Sequence, residues 1–173
     1  MNTWDLQKTL MEISGQKISD APALTNTSVL YAALILEEVA ELMVGINNVL
    51  IEEKDTDLLP ISLTTSCIAE QAYLASTRIR KHLTTTKDFC LTLSENTAIE
   101  IADATTDIAV VNCGFAVASG IDGDACYQDT VGSNLSKANP VTGMIDKDSS
   151  GKWIKGSEYR MPNLGQILFK LNK

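Results

Sequence analysis

Apolar positions recur at helical spacing in four stretches of the chain. In residues 1–17, Trp4, Leu6, Leu10, Met11 and Ile13 form a loose amphipathic face that Gly15 ends. After a connector rich in turn residues (Asp20, Pro22, Thr25, Asn26), a long apolar run from Val29 to Ile51 predicts a helix over about Thr27–Leu50. Glu52 to Leu59 is charged and is followed by Pro60, so a loop or broken turn is expected there. A third helix is predicted over about Ser62–Leu83, with Ile68, Tyr73, Leu74 and Ile79 apolar. The fourth runs over about Ser94–Gly120, with Ser94 as N-cap and Gly120 as stop. Its stretch Ile99–Ile121 is apolar almost all the way round, the pattern of a helix buried on every side.

After Ile121 the texture changes. Residues 122–165 are rich in Gly, Asp, Asn, Ser and Pro and read as a loop-rich tail. Met144-Ile145 and Trp153-Ile154 flank Asp146–Gly151, which reads as a small hairpin or turn. Gly165–Lys173 is a candidate short terminal helix. The pattern therefore predicts one all-α domain over residues 1–173, with a helical core at about 1–121 and a tail at about 122–173 acting as a lid.

Polar residues inside the apolar runs change the picture. Leu34, Glu38, Glu41 and Gly45 share one face of the second helix, and Glu100, Asp103, Asp107, Val110 and Gly114 share one face of the fourth. A carboxylate buried without a partner costs several kcal/mol or loses its charge. Glu38-x-x-Glu41 and Glu100-x-x-Asp103 each set two carboxylates one turn apart, and facing helices would bring both pairs to one volume. Four hard oxygen ligands suit magnesium or manganese. Carboxylate-bridged di-iron bundles also use Glu-x-x-His, which this chain lacks. The bland alternative is an ion-pair network with neighbouring helices, but those helices bring few basic residues to the same faces. Arg78, Arg80, Lys81 and His82 at the end of the third helix read first as a charged cap, with phosphate contact as the other option.

Charge and cysteine usage narrow the class. A net charge of −8 argues against non-specific binding to nucleic acid or to an anionic membrane, and an anionic ligand would need a metal. No apolar run reaches membrane-span length uninterrupted, and the N-terminus lacks a signal-peptide pattern. Cys67, Cys90, Cys113 and Cys126 form no C-x-x-C pair and read as reduced core residues of a cytoplasmic protein. With His82 as the single histidine, no zinc spacing exists. Asn112 reads as a buried polar link.

The order Glu37-Glu38-x-x-Glu41, a long gap, then Glu100-x-x-Asp103, resembles the all-α nucleoside triphosphate pyrophosphohydrolases, the MazG-like superfamily. Ser133-Asn134-Leu135-Ser136-Lys137, Gly151-Lys152-Trp153-Ile154-Lys155 and Tyr159-Arg160-x-Pro162 are similar to the tail of the bacteriophage-encoded type. By overall likeness the chain resembles the guanine-preferring MazZ group within it. The resemblance implies a helical bundle assembled as a homodimer or homotetramer. It implies hydrolysis of a (deoxy)nucleoside triphosphate, dGTP or GTP foremost, to the monophosphate and pyrophosphate in the cytoplasm, with no nucleic-acid or membrane partner. Glu38, Glu41, Glu100 and Asp103 match the ligands of two or more Mg2+ or Mn2+ ions. Glu37 matches the first glutamate, with its role open between general base and supporting residue. Asp107 could hold a further ion. Lys137, Lys152 and Lys155 are candidates for the triphosphate, and Asn134 for the loop or the sugar. Trp4 and Trp153 read as core or lid anchors, or as platforms for a base. The competing readings are a dUTP/dCTP pyrophosphatase of the same superfamily, and a helical bundle that binds metal or nucleotide without turnover.

Overall fold

The computed structural model of the protein describes residues 3–53, 56–148 and 152–169. The fold is all-α: the described residues form six α-helices and one small two-stranded ribbon. The chain divides into two compact units, Ala21–Leu93 and Met1–Asp20 with Ser94–Lys173.

The first unit is a helical hairpin. Helix α2, Asn26–Glu52, begins at a capping box in which the Ser28 amide donates to Thr25 Oγ1 (3.1 Å) and the Thr25 amide donates to Ser28 Oγ (2.7 Å). Helix α3, Leu59–Leu83, starts ahead of Pro60, three residues earlier than predicted. Proline is tolerated in a first turn because its missing N–H would lack an intrahelical partner anyway, so Pro60 opens this helix and does not end a loop. The two helices run antiparallel, with Asn47 beside Ser62 and Glu37 beside Arg80. Their seam is made of small residues: Ala33 and Ala40 on α2 face Ser62, Thr65, Ala69, Ala72 and Ser76 on α3, all buried. Asn47 Oδ1 accepts from Ser62 Oγ at 2.6 Å, which satisfies a polar group inside the seam. Strands β1 (Ala23–Thr25) and β2 (Cys90–Thr92) pair antiparallel, Leu24 opposite Leu91, and tie the open end of the hairpin. The pattern of the sequence did not predict this ribbon.

The second unit joins α1 (Thr3–Ile13), α4 (Glu95–Ala118), α5 (Gly123–Leu135) and α6 (Leu164–Phe169). Ser94 caps α4 as expected, accepting from the Thr97 amide, and Gly120 ends it at φ +69°, a conformation glycine adopts without strain. Leu10, Ser14, Val131, Ser133 and Ile145 are buried. The Ile145 amide donates to the Ile13 carbonyl (2.8 Å), so the tail docks on the end of α1.

Three expectations are corrected. The tail is not all loop: α5 spans thirteen of its residues, with Asp122 as N-cap accepting from the Ala125 amide. Helix α4 is not buried on every side within the chain. None of its residues is buried, and Val111 and Val117 are 67% and 79% exposed. Nor are the cysteines core residues: Cys67, Cys90 and Cys113 are exposed and Cys126 is half-buried. The hairpin at residues 146–154 does form, with Lys147 bridged to Trp153 and the Ile154 amide donating to the Asp146 carbonyl (2.8 Å). Its tip at 149–151 lies outside the described residues, as do residues 1–2 of the first predicted helix and 170–173 of the last.

Candidate functional site

Two groups of candidate residues can be built up from their elements. The first is acidic. Glu37, Glu38 and Glu41 project from one stretch of α2, which holds them in fixed order because the helix continues unbroken on both sides. Arg80, in the basic last turn of α3, donates from Nη1 to Glu37 Oε2 at 2.5 Å. The basic cluster thus supplies a cation to the first glutamate, a pairing that was not expected. Glu38 has no such partner among the described residues. Burial foremost, then the charges of Glu41 and Glu37, push its carboxyl above the usual glutamate range. A carboxylate held among like charges is poised to gain from a cation.

On α4, Glu100, Asp103 and Asp107 repeat the spacing, and like Glu38 and Glu41 they are exposed. Asn112 is exposed on the same helix and is not the buried polar link expected. Among the described residues no three His, Cys, Asp or Glu side chains gather as a ready cage for an ion. The donor chemistry of Glu38, Glu41, Glu100 and Asp103 nonetheless fits a hard divalent cation. All the donors are carboxylate oxygens, and none of the four is paired with a cation among the described residues.

The second group is basic and lies in the tail. Lys137 follows the C-terminal end of α5, and its Nζ donates to Asn134 Oδ1 at 2.7 Å. The same ammonium lies 5.4 Å from the centre of the Trp153 ring, and the Lys155 ammonium lies 4.6 Å from that of Tyr159. Burial foremost lowers the pKa of Lys137; the Tyr159 phenol opposes that shift and the Lys155 charge adds to it. The structure therefore brings together Asn134, Lys137 and Lys155 of the predicted set. Lys152 enters differently: its amide donates to Asp148 Oδ1 (3.0 Å) and its carbonyl accepts from the Asp148 amide (2.9 Å), so its backbone shapes the hairpin.

A polar frame holds this group. Arg160 Nη1 donates to Asp129 Oδ1 (2.6 Å), the Asn163 amide donates to Asp129 Oδ2 (2.5 Å), and the Arg160 amide donates to Ser136 Oγ (3.0 Å). The Asn163 amide and then the Arg160 side chain hold the Asp129 carboxyl below the usual aspartate range. Tyr159, Asp129 and Arg160 were not singled out as site residues. The signal available was Lys-Trp-x-Lys followed by Tyr-Arg, an alternation of cations and rings over residues 152–160. Trp4, the other tryptophan, is 70% exposed and anchors no core.

No protein-family model matches the chain, and no curated protein matches it. Among solved structures the chain is similar to the crystal structure of a proposed NTP pyrophosphohydrolase from Exiguobacterium sp. 255-15. The TM-score is 0.59 and the identity 18%, over 94% of this chain and 89% of that one. At that identity the likeness is one of fold, and it takes in nearly the whole of both chains.

Proposed function

We propose that the protein is a metal-dependent nucleoside triphosphate pyrophosphohydrolase. The observation that carries the reading is the pair of acidic spacings, Glu38/Glu41 on α2 and Glu100/Asp103 on α4, set in apolar helices with no cation paired to them among the described residues. The fold likeness to a proposed NTP pyrophosphohydrolase supports it.

In this reading Glu38, Glu41, Glu100 and Asp103 would hold two or more Mg2+ or Mn2+ ions, with Asp107 one turn beyond. Such ions would supply positive charge for the phosphates and lower the pKa of a water. Glu37, engaged by Arg80, stands beside this set as a supporting residue. Lys137, Lys155 and Lys152 hold the triphosphate, and Asn134 keeps Lys137 in place. Water attacks the α-phosphorus, the bond from that phosphorus to the α–β bridging oxygen breaks, and pyrophosphate departs on the lysines. The chain has no Gly-rich loop followed by Lys-Ser/Thr, the arrangement that serves γ-phosphate chemistry.

The substrate named by the resemblance to the MazZ group is dGTP or GTP, in the cytoplasm of a phage-infected cell. The same reading includes assembly. Large apolar side chains are exposed on α4 (Ile99, Val110, Val111) and on α2 and α3 (Val44, Ile61), and such surface is what an assembly covers. By length and composition α4 could cross a membrane. Asp103 and Asp107 on that helix make a second copy of the chain the better partner for it. Homodimers or homotetramers follow.

The test is chromatography of products from dGTP, GTP, dATP, dCTP and dUTP at equal concentration, with magnesium and with a chelator. Monophosphate and pyrophosphate from dGTP, lost on chelation, is the expected result. Orthophosphate as the first product would sink the mechanism. Fastest turnover of dUTP or dCTP would move the protein to the pyrimidine branch, and metal binding without turnover would leave a binding protein.

A further inference from the structure

We propose that Trp153 and Tyr159 are positioning residues: their rings hold the ammonium groups of Lys137 and Lys155 as a ready-made pair for a polyphosphate anion. The proposal rests on the reading of these lysines as the phosphate-binding group, and it says what makes them one. A free lysine is a mobile, strongly hydrated charge that must be ordered when an anion arrives. A carboxylate partner would order it but would also neutralise it. An aromatic face attracts the ammonium without cancelling its charge. Here each lysine has a ring, at 5.4 Å for Lys137 and 4.6 Å for Lys155, and neither has a carboxylate partner among the described residues.

The backbone places both rings. A Cβ on Gly156 would lie 2.9 Å from the carbonyl oxygens of Lys137 and Ala138, so the segment between the rings presses directly on the chain that leaves α5. Ser133 Oγ donates to the Arg160 carbonyl (2.8 Å) and fixes the residue after Tyr159. Asn134 Oδ1 takes one donor of Lys137 and leaves others for a ligand. Like charge and partial burial weigh on Lys137, and a bound anion relieves both. One face of Trp153 is thereby taken by an ammonium, which argues against that face as a base platform.

The experiment is calorimetric titration of the full-length protein with inorganic tripolyphosphate and no divalent ion. Trp153→Leu and Tyr159→Leu should each weaken binding about fivefold to tenfold, and Tyr159→Phe should stay within about twofold. Because the rings act through the lysines, Lys137→Met with Trp153→Leu should bind no more weakly than Lys137→Met alone. Wild-type affinity in both leucine variants, or losses that add in the double variant, would overturn the proposal. If Trp153→Leu does not fold, two other readouts decide: the Tyr159 pair, and Trp153 emission in a Trp4→Phe background. That emission should respond to tripolyphosphate and stop responding with Lys137→Met; no response before that change would overturn the proposal. Failure here is separable from failure of the proposed function. Tripolyphosphate binding through the rings with no nucleotide turnover would defeat only the enzyme. Turnover with an unchanged KM in the leucine variants would defeat only the rings.

Discussion

Helices α2 and α4 carry the same acidic spacing on the same kind of apolar background, yet the chain shelters them differently. Helix α2 lies along α3 on a buried seam of alanine, serine and threonine, and beside that seam Glu38 and Glu41 are themselves exposed. Helix α4 has no buried residue. The spacing of carboxylates is a local property that any continuous helix delivers. The low-dielectric surroundings that make such carboxylates avid for a cation depend on what packs around them. For α2 the same chain supplies α3 as a packed neighbour but leaves Glu38 and Glu41 exposed. For both helices a second copy is the partner proposed above.

If the two helices serve one metal site, Glu41→Gln and Asp103→Asn should each abolish turnover while far-ultraviolet circular dichroism stays unchanged. Removing a carboxylate from a set that repels itself without metal should leave thermal stability equal or slightly higher. Near-normal activity in either variant would break the equivalence. Val111→Asp strikes what only α4 lacks. It should shift the sedimentation coefficient to that of a monomer and take activity with it, whereas a monomeric wild type would remove the idea of assembly.

Smaller effects sharpen the contrast between the hairpin and the tail. Gly156→Ala should lower stability by about 1–3 kcal/mol, since the new Cβ meets two backbone oxygens that cannot swing away. Denaturant midpoints would check it. In the hairpin, Ser76 Oγ is buried with no hydrogen-bond partner among the described residues, so Ser76→Ala should raise stability by about 1 kcal/mol. A loss there would point to a polar contact of Ser76 inside the seam. Glu37→Gln breaks a pair whose guanidinium is 49% exposed, and should cost no more than about 1 kcal/mol in thermal unfolding. Its activity should fall less than that of Glu41→Gln.

What could be read from the sequence follows the range of the interactions. Helices α2 and α4 were legible because long apolar runs with Thr25, Ser94 and Gly120 at their ends are local signals. Gly15 after α1 and the turn residues Asp146–Gly151 are equally local signals. Helix α5 was missed because its glycines, serines and aspartates are poor helix formers, and it is held by contacts such as Val131 in the core and Asp129 with Arg160. The strand pair was missed because residues 23–25 and 90–92 meet only once the hairpin forms. The acidic positions could be named from spacing, but the Arg80–Glu37 pair could not, since it joins residues 43 apart in sequence. The rings beside Lys137 and Lys155 are likewise products of the fold.

Whether α2 and α4 supply one metal site is tested most directly by Mn2+ binding followed by electron paramagnetic resonance in the wild type, Glu41→Gln and Asp103→Asn. Either substitution alone should remove tight Mn2+ binding, because in the proposed site each helix contributes ligands the other cannot replace. Two independent sets of ions, with each variant losing one and keeping the other at full affinity, would contradict it.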